Sequence, residues 1–236
     1  MNPKRLLMDY QSRLNKVIPG GAHTYSRGFD QFPSNSPQIL HKGKGAYVYD
    51  SKGTSYLDYG MALRAITVGY ANERINNAAI NQINNGNNLT RASLVELKAA
   101  ELFVDLIPGA EMVKFAKNGS NATTAAVKIA RSYTGKKYVC LPRQHPFFSY
   151  DDWFIGTTPI KKGIPKLNYK NSLQFDYNNI SSLKSLFEKY PNEIACVILE
   201  PATSEVPFPF EDSNLSFKKP KLKNDKVNFL QSVQKL

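Results

Sequence analysis

The sequence predicts an α/β fold in which helices flank a parallel sheet, with a small antiparallel subdomain ahead of it. Two observations carry this prediction. Beyond residue 93, helical periodicity alternates with short apolar runs that are typical of buried strands. Nearer the start, residues 45–50 and 54–59 are aromatic-rich runs on either side of the turn Ser51-Lys52-Gly53, which is typical of a β-hairpin.

The elements before residue 93 follow from turn residues and spacing. Residues 10–38 have no regular period, so they are expected to lie as an irregular segment over another surface. The asparagine-rich stretch after the hairpin carries Ile75, Ala79 and Ile83 at helical spacing. A helix is therefore predicted between residues 72 and 88.

The elements after residue 93 form the predicted α/β part. Ser93 and Glu96 have the spacing of a capping box, which predicts the start of a helix that runs to Ile107. The further predicted elements are, in order, strand 112–116, helix 122–133, strand 138–141, a long aromatic loop, helix 182–190 and strand 195–199. The last strand is apolar on both sides, as expected of a central strand between two helix layers.

Three domain ranges are predicted from these elements. Residues 1–60 form an N-terminal segment with the hairpin subdomain, and residues 61–202 form part of a large α/β domain. Residues 203–236 form a basic loop or insertion, with the start of a helix from residue 226. Because a parallel sheet is expected to continue with another strand after such a helix, the sequence predicts a truncated fold.

Composition excludes several classes of protein. The net charge of +12 would suit a nucleic-acid partner, but the basic residues crowd only one stretch, 218–226, and no nucleic-acid-binding motif accompanies them. No apolar run is long enough to cross a membrane and no signal-peptide pattern is present, so a cytoplasmic protein is expected. Cys140 and Cys196 lie in separate apolar segments and are expected to be buried free thiols, with no metal site.

Residues 115–122 hold the strongest local signal for chemistry. A predicted strand is followed there by Asn118-Gly119-Ser120-Asn121, a small polar turn that opens a helix. The backbone N–H groups of such a turn lack partners, the helix dipole adds partial positive charge, and a serine hydroxyl can donate a further bond. The turn is therefore suited to a phosphate, although an ordinary N-capped turn between a strand and a helix has the same pattern.

Seven short motifs occur together between residues 14 and 201. They are Ile18-Pro19-Gly20-Gly21, Gly45-Ala46-Tyr47, Tyr56-Leu57-Asp58-Tyr59, Gly69-Tyr70, Asn118-Gly119-Ser120-Asn121-Ala122, Lys128-Ile129-Ala130-Arg131 and Val197-Ile198-Leu199-Glu200-Pro201. In this order and spacing they resemble the class III aminotransferases, and within them the glutamate-1-semialdehyde aminomutase group. The resemblance implies the N-terminal part of a fold type I enzyme, pyridoxal 5'-phosphate as cofactor, and a homodimer acting on small amino or keto substrates.

The resemblance also assigns cofactor-binding residues by their match to the family motifs. Asn118, Gly119 and Ser120 would hold the cofactor phosphate. His145 stands near the place of the family's aromatic residue that stacks on the cofactor ring, and Phe147 or Phe148 could fill that place instead. The alternative for His145 is a loop histidine that is hydrogen-bonded to the backbone.

Two further positions are assigned in the same way. Glu200, at the end of the last predicted strand, is expected near the cofactor at the carboxyl edge of the sheet, where ligands bind in such folds. Arg27 would face a substrate carboxylate, and an ordinary solvated arginine is its alternative. Leu63-Arg64-Ala65 stands where the family has Trp-Gly-Pro, which leaves the substrate open.

Two family residues have no counterpart in this sequence and would lie beyond Leu236. They are the Schiff-base lysine and the aspartate that pairs with the pyridine nitrogen of the cofactor. The resemblance therefore implies a truncated or split aminotransferase or aminomutase that binds the phosphate, has no catalytic residue of its own and needs a complementing C-terminal half. The alternative is a non-catalytic interaction module that docks on a full-length or complementary aminotransferase half.

Overall fold

The described part of the chain forms two compact units. The computed structural model describes residues 9–145, 147–202, 207 and 228–236. Its compact units divide between Leu97 and Lys98. The predicted loop at 203–226 lies, except for one residue, outside the described residues, and the three predicted domain ranges stay a prediction.

The first unit begins with helix α1, Tyr10–Val17. Asp9 caps it, because its Oδ1 accepts a hydrogen bond of 2.8 Å from the backbone N–H of Ser12. Three short 3-10 helices follow, Pro19–Gly21, Tyr25–Arg27 and Phe29–Gln31. The segment is therefore more regular than the irregular stretch predicted, since capping and local turns supply the hydrogen bonds that periodicity does not reveal.

An antiparallel sheet of three strands follows these helices in the first unit. Strands β1 (Leu40–Lys44), β2 (Tyr47–Asp50) and β3 (Ser55–Leu57) pair in that order. Asp50 closes the turn between β2 and β3, because its Oδ1 accepts hydrogen bonds of 2.9 Å from the N–H groups of Lys52 and Thr54. The predicted hairpin is confirmed, while β1 lay outside the prediction.

Helices α2 (Glu73–Asn84) and α3 (Leu94–Leu106) confirm two helix predictions. In the capping box of α3, the Glu96 N–H donates to Ser93 Oγ at 3.3 Å and the Ser93 N–H donates to Glu96 Oε2 at 2.6 Å. Neither helix has a buried residue.

A left-handed turn, Met61–Arg64, precedes α2. All four of its residues have positive φ, from 45° to 70°, although none is glycine. Asp58 supports the start of the turn, because its Oδ1 accepts from the Gly60 N–H at 2.9 Å and its Oδ2 accepts from the Ala62 N–H at 3.4 Å. Left-handed backbone costs about 1–2 kcal/mol per non-glycine residue, so this turn is strained.

The second unit contains a parallel sheet. Strands β4 (Tyr138–Pro142), β5 (Ser172–Phe175) and β6 (Ile194–Val197) lie in the order β5-β4-β6. The helices of this unit are α4 (Gly119–Thr134), α5 (Asp152–Ile155), α6 (Lys166–Tyr169), α7 (Ile180–Lys189) and α8 (Phe229–Gln234). Strands and helices thus alternate as predicted, and the α/β class is confirmed.

The core of the second unit lies on both faces of β4. Val139 and Leu141 pack in one cluster with Val127 of α4, Trp153 and Phe154. Cys140 points to the other face, where the buried cluster consists of Cys140, Phe175, Tyr177, Leu183, Ile194 and Phe229. Successive residues of a strand point to opposite faces, so β4 is buried on both sides and holds the sheet between two layers.

One strand prediction is wrong and another is confirmed in part. The segment 112–116 has no regular secondary structure and pairs with no strand among the described residues, because an apolar run forms a strand only beside a neighbour with matching register. The predicted strand 195–199 corresponds to β6, which pairs with β4 and lies at an edge of the sheet formed by the described residues. Its central place in the complete sheet stays a prediction. The residues of β6 are apolar on both sides because Cys196 contacts one core cluster and Val197 the other. An apolar pattern on both sides therefore shows that both faces of the sheet are packed, and does not show the order of the strands.

The cysteine prediction is confirmed in part. Cys140 and Cys196 are free thiols, and Cys140 is fully buried while Cys196 is half-buried. Burial raises the pKa of Cys140 to about 12, so its thiol stays protonated at neutral pH. No helix among the described residues has the length and apolar character needed to cross a membrane. Those same residues contain no cluster of side chains that could hold a metal ion.

Candidate functional site

The predicted phosphate turn forms the first turn of α4. Asn118 is its N-cap, and its Oδ1 accepts from the Asn121 N–H at 3.0 Å. The N–H groups of Gly119 and Ser120 have no hydrogen-bond partner among the described residues. The turn therefore has the capped geometry of an ordinary helix start and still leaves two donors available.

Gly119 and Ser120 differ in their surroundings. A Cβ atom built on Gly119 would meet no atom within 4 Å, so the backbone there is open to approach. Ser120 is buried, and its Oγ accepts a hydrogen bond of 3.3 Å from the Tyr150 N–H. Because Oγ is an acceptor in that contact, its own hydrogen remains available for a second partner.

Hydrogen bonds fix the loop after β4 against the first turns of α4. The Thr123 hydroxyl donates to the Phe148 carbonyl at 2.8 Å, and the Thr124 and Ser149 hydroxyls are 3.0 Å apart. The Trp153 indole N–H donates to Thr124 Oγ1 at 2.8 Å. These residues were not predicted from the sequence. The spacing of Ser120, Thr123 and Thr124 places three hydroxyls on one side of α4, but the partners of Thr123 and Thr124 lie 25–29 positions away.

The three aromatic candidates have different environments. Phe148 is half-buried, with its ring 5.4 Å from Phe154 and 5.3 Å from His145. Phe147 is 61% exposed and contacts the Phe154 ring edge-on at 5.8 Å. Phe147 is therefore the candidate with the most ring surface open to a flat ligand.

His145 is held at the ends of two strands. Its Nδ1 accepts a hydrogen bond of 3.0 Å from the Glu200 N–H. Its ring contacts Phe148 and Tyr177, with centroids 5.3 and 5.2 Å away. Nε2 is buried and has no hydrogen-bond partner in the part of the chain that the structure describes. Burial lowers the pKa of His145 to about 4, so the ring is neutral at physiological pH.

Glu200 and Pro201 follow β6 at its carboxyl end. The Pro201 carbonyl accepts from the Tyr177 hydroxyl at 2.8 Å, and Glu200 is half-buried. The Glu200 carboxylate has no partner among the described residues. Glu200 thus shares one edge of the sheet with His145, as the strand direction requires.

Arg27 belongs to the first unit, in the 3-10 helix Tyr25–Arg27, and its side chain is exposed. It is close enough to Tyr70 for its charge to oppose the upward shift of the Tyr70 pKa, which burial and the bond to Asp58 cause. The other site residues belong to the second unit. The structure thus brings Ser120 together with the loop 147–150. Separately, it brings His145 together with Glu200.

The chain matches one protein family directly. A model of the family "Aminotransferase class-III" matches residues 31–161. The chain is also 32% identical over 215 residues, 86% of its length, to the glutamate-1-semialdehyde 2,1-aminomutase of Wigglesworthia glossinidia brevipalpis. That alignment covers 49% of the relative, and the chain spans about half the length of the curated relatives it matches.

Solved structures agree on the fold. The FumI protein of Sphingopyxis sp. MTA144, solved in a PLP form, has a TM-score of 0.78 at 28% identity and covers 96% of this chain and 51% of its own. A glutamate-1-semialdehyde aminomutase from Pseudomonas aeruginosa PAO1 has a TM-score of 0.68 over 81% of this chain and 43% of its own. At 17% identity, that second likeness shows the fold alone.

Fold and sequence together define an α/β protein with part of the fold of the PLP-dependent transaminases. The chain belongs to the class-III aminotransferase family. This confirms the resemblance that the seven motifs indicated, including the likeness to glutamate-1-semialdehyde aminomutases. The roles assigned to individual residues stay predictions.

Proposed function

We propose that this chain provides the cofactor-phosphate site of a pyridoxal-phosphate-dependent aminotransferase or aminomutase. The observation that supports it best is the pair of unpartnered N–H groups of Gly119 and Ser120 at the start of α4, a helix of 16 residues. Helix N-termini attract anions through such N–H groups and the helix dipole. Membership of the class-III family makes a cofactor phosphate the anion of choice.

The residues of the turn fit a phosphate. Gly119 leaves the approach open, because no atom lies within 4 Å of its absent Cβ. Ser120 can donate its hydroxyl hydrogen while its oxygen accepts from Tyr150. Asn118 keeps the helix start in place by bonding the third N–H, which leaves the first two for the ligand.

Two more residues complete the proposed cofactor site. Phe147 is the ring that stacks on the cofactor, because Phe148 and His145 are held by neighbouring rings while Phe147 keeps most of its surface open. Glu200 lies at the carboxyl edge of the sheet, where ligands bind in parallel α/β folds. When bound, pyridoxal phosphate supplies an electron sink for moving amino groups between amino and keto compounds.

The substrate is proposed to be a small amino or keto compound with a carboxylate. Arg27 is the residue assigned to that carboxylate, since an exposed guanidinium can bind both carboxylate oxygens. Leu63-Arg64-Ala65 stands where the family has Trp-Gly-Pro, and Leu63 and Arg64 belong to the left-handed turn Met61–Arg64. This departure supports a substrate other than that of the aminomutases.

We further propose that the isolated chain does not catalyse amino transfer. The chain spans about half the length of its curated relatives, and the Schiff-base lysine has no predicted counterpart in it. A homodimer of complete enzymes, or a complementing half, would bring that lysine and the acidic partner of the pyridine nitrogen. A cytoplasmic location belongs to the same proposal.

The experiment is a fluorescence titration with pyridoxamine phosphate, whose amine cannot react with the many lysines of the chain. We expect Ser120→Ala combined with Gly119→Val to weaken binding at least about tenfold, because a valine side chain covers the open N–H groups. Ser132→Ala, at the other end of α4, is the control and should bind like the wild type. Unchanged affinity in the double variant would refute the phosphate site.

A second candidate function is docking on another aminotransferase polypeptide. Helix α3 supports it, because apolar side chains cover most of its surface, Lys98, Glu101 and Asp105 share one side, and none of its residues is buried. Leu102 and Leu106 are 58% and 66% exposed. Helices of this kind are normally covered, so α3 is suited to a full-length or complementary aminotransferase half.

Docking is tested by co-purification with a full-length class-III aminotransferase. We expect Leu102→Lys with Leu106→Lys to abolish the complex, because two charges would be buried in an apolar interface. Glu101→Gln, on the same helix, is the matched control and should leave it intact. A complex that survives the double lysine variant would exclude α3 as the docking helix.

A further inference from the structure

Three strand ends meet at the carboxyl edge of the parallel sheet. Beyond β4, Gln144 Oε1 accepts from the Tyr177 N–H at 3.0 Å. Beyond β5, the Tyr177 hydroxyl donates to the Pro201 carbonyl at 2.8 Å. Beyond β6, the Glu200 N–H donates to Nδ1 of His145 at 3.0 Å. The His145 side chain, after the end of β4, is therefore hydrogen-bonded to the backbone that follows β6.

The hydrogen bond fixes the protonation state of the ring. Because Nδ1 accepts from the Glu200 N–H, a neutral His145 must carry its proton on Nε2. Nε2 is buried and has no hydrogen-bond partner among the described residues, so a second proton on the ring would place a charge with no described group to balance it. Burial accordingly lowers the pKa of this histidine to about 4.

We propose that His145 is a positioning residue that, as a neutral imidazole, fixes the backbone of Glu200 at the carboxyl edge of the sheet. The proposal rests on the proposed function, because that edge is where the cofactor is expected. His145 acts through Glu200 and does not stack on the cofactor, since Phe148 and Tyr177 already contact its ring.

Acid is expected to break this contact. Protonated Nδ1 becomes a donor that faces the Glu200 N–H, so the hydrogen bond is replaced by a repulsive contact. Among the described residues, the titratable residues in contact with His145 are Tyr177, through its ring, and Glu200, through its backbone N–H. Arg143 and Asp176, which precede Gln144 and Tyr177, form an ion pair with 3.2 Å between Nε and Oδ1. Burial is the cause of the lowered pKa, so the contact should hold down to about pH 4.

The first test follows deuterium exchange at the C2–H of each histidine by mass spectrometry, which reports the pKa of each ring in the full chain. The chain has three histidines, and the exposed His23 and His41 serve as internal references. We expect His145 to titrate near pH 4. A midpoint at or above the ordinary value of 6.5 would overturn the proposal.

The second test separates positioning from packing. His145→Asn keeps an acceptor close to the place of Nδ1, whereas His145→Phe keeps only the ring. We expect the Glu200 amide to exchange about tenfold faster in His145→Phe and at the wild-type rate in His145→Asn. Equal exchange of this amide in the wild type and His145→Phe would contradict the role.

Two controls keep the outcomes distinct. The amides of Val139 and Cys140 in β4 report whether the fold survives, and where His145→Phe loses their protection the histidine titration alone decides. Pyridoxamine phosphate titrations are run in parallel. If the wild-type chain does not bind pyridoxamine phosphate, the proposed function is refuted. The pKa of His145 and the exchange rate of the Glu200 amide test the hydrogen bond between these two residues separately.

Discussion

The Tyr70 hydroxyl donates a hydrogen bond of 2.5 Å to Oδ2 of Asp58. The same carboxylate supports the left-handed turn Met61–Arg64 through the N–H groups of Gly60 and Ala62. The Tyr70 backbone is anchored independently, because its N–H and carbonyl pair with Gly45 at 2.8 and 2.9 Å. One carboxylate thus holds a strained turn against a fixed side chain.

Ala62→Gly is expected to stabilise the protein. Ala62 has φ 49°, which glycine adopts without a Cβ clash, so the melting temperature should rise by the equivalent of about 1 kcal/mol. Ala79→Gly, in the interior of α2, is the matched control and should lower it by a similar amount. A lowered melting temperature in Ala62→Gly would contradict a strained turn at this position.

Tyr70→Phe is expected to destabilise the protein in a pH-dependent way. The Tyr70 hydrogen bond lowers the pKa of Asp58 below its usual 3.8, so its contribution is complete above that pH and is lost as pH falls through the folded-state value. The loss should be about 1 kcal/mol at pH 7 and smaller near pH 2. Tyr59→Phe, at an exposed tyrosine, is the control. A pH-independent loss would argue against an ionised acceptor.

Phe147→Leu and Phe148→Leu should separate binding from stability. Phe147 is mostly exposed, so its replacement should weaken pyridoxamine phosphate binding and leave the melting temperature within about 1 °C. Phe148 packs on Phe154 and His145, so its replacement should lower the melting temperature by several degrees. The reverse pattern would assign stacking to Phe148.

Arg27→Ala should reduce binding of a dicarboxylate probe such as glutarate and leave pyridoxamine phosphate affinity unchanged. The reason is that Arg27 is assigned to the substrate carboxylate and the phosphate to the turn at α4. Calorimetric titration of the chain with each ligand measures both, and Arg74→Ala is a matched exposed arginine. Equal effects on the two ligands would remove Arg27 from the substrate site.

The sequence predicts those parts of the fold that depend on local chemistry. The Ser93–Glu96 capping box, the spacing in α2 and the turn closed by Asp50 all appear where expected, because their signals lie within a few residues. The order of the strands could not be predicted. β6 is apolar on both sides because both faces of the sheet are packed, and this pattern is the same for a central and an edge strand. The turn at Met61–Arg64 could not be predicted either, because its four residues lack the glycines that normally mark positive φ.

The candidate site shows the same division. The turn at Asn118 was identified from its own residues, and the structure gives it the expected cap. The tie between His145 and Glu200 joins residues 55 positions apart, and no local pattern reports such a contact. The hydroxyl contacts of Thr123 and Thr124 with the loop after β4 are equally long-range. Long-range contacts depend on tertiary packing, which one sequence alone does not specify.

The most direct test of the central claim compares pyridoxamine phosphate with pyridoxamine in titrations of the full chain. The two ligands differ only in the phosphate, which is assigned to the N–H groups of Gly119 and Ser120. We expect pyridoxamine phosphate to bind at least about a hundredfold more tightly, a difference that Gly119→Val should abolish. Equal affinities for the two ligands in the wild-type chain would contradict a cofactor-phosphate site at the start of α4.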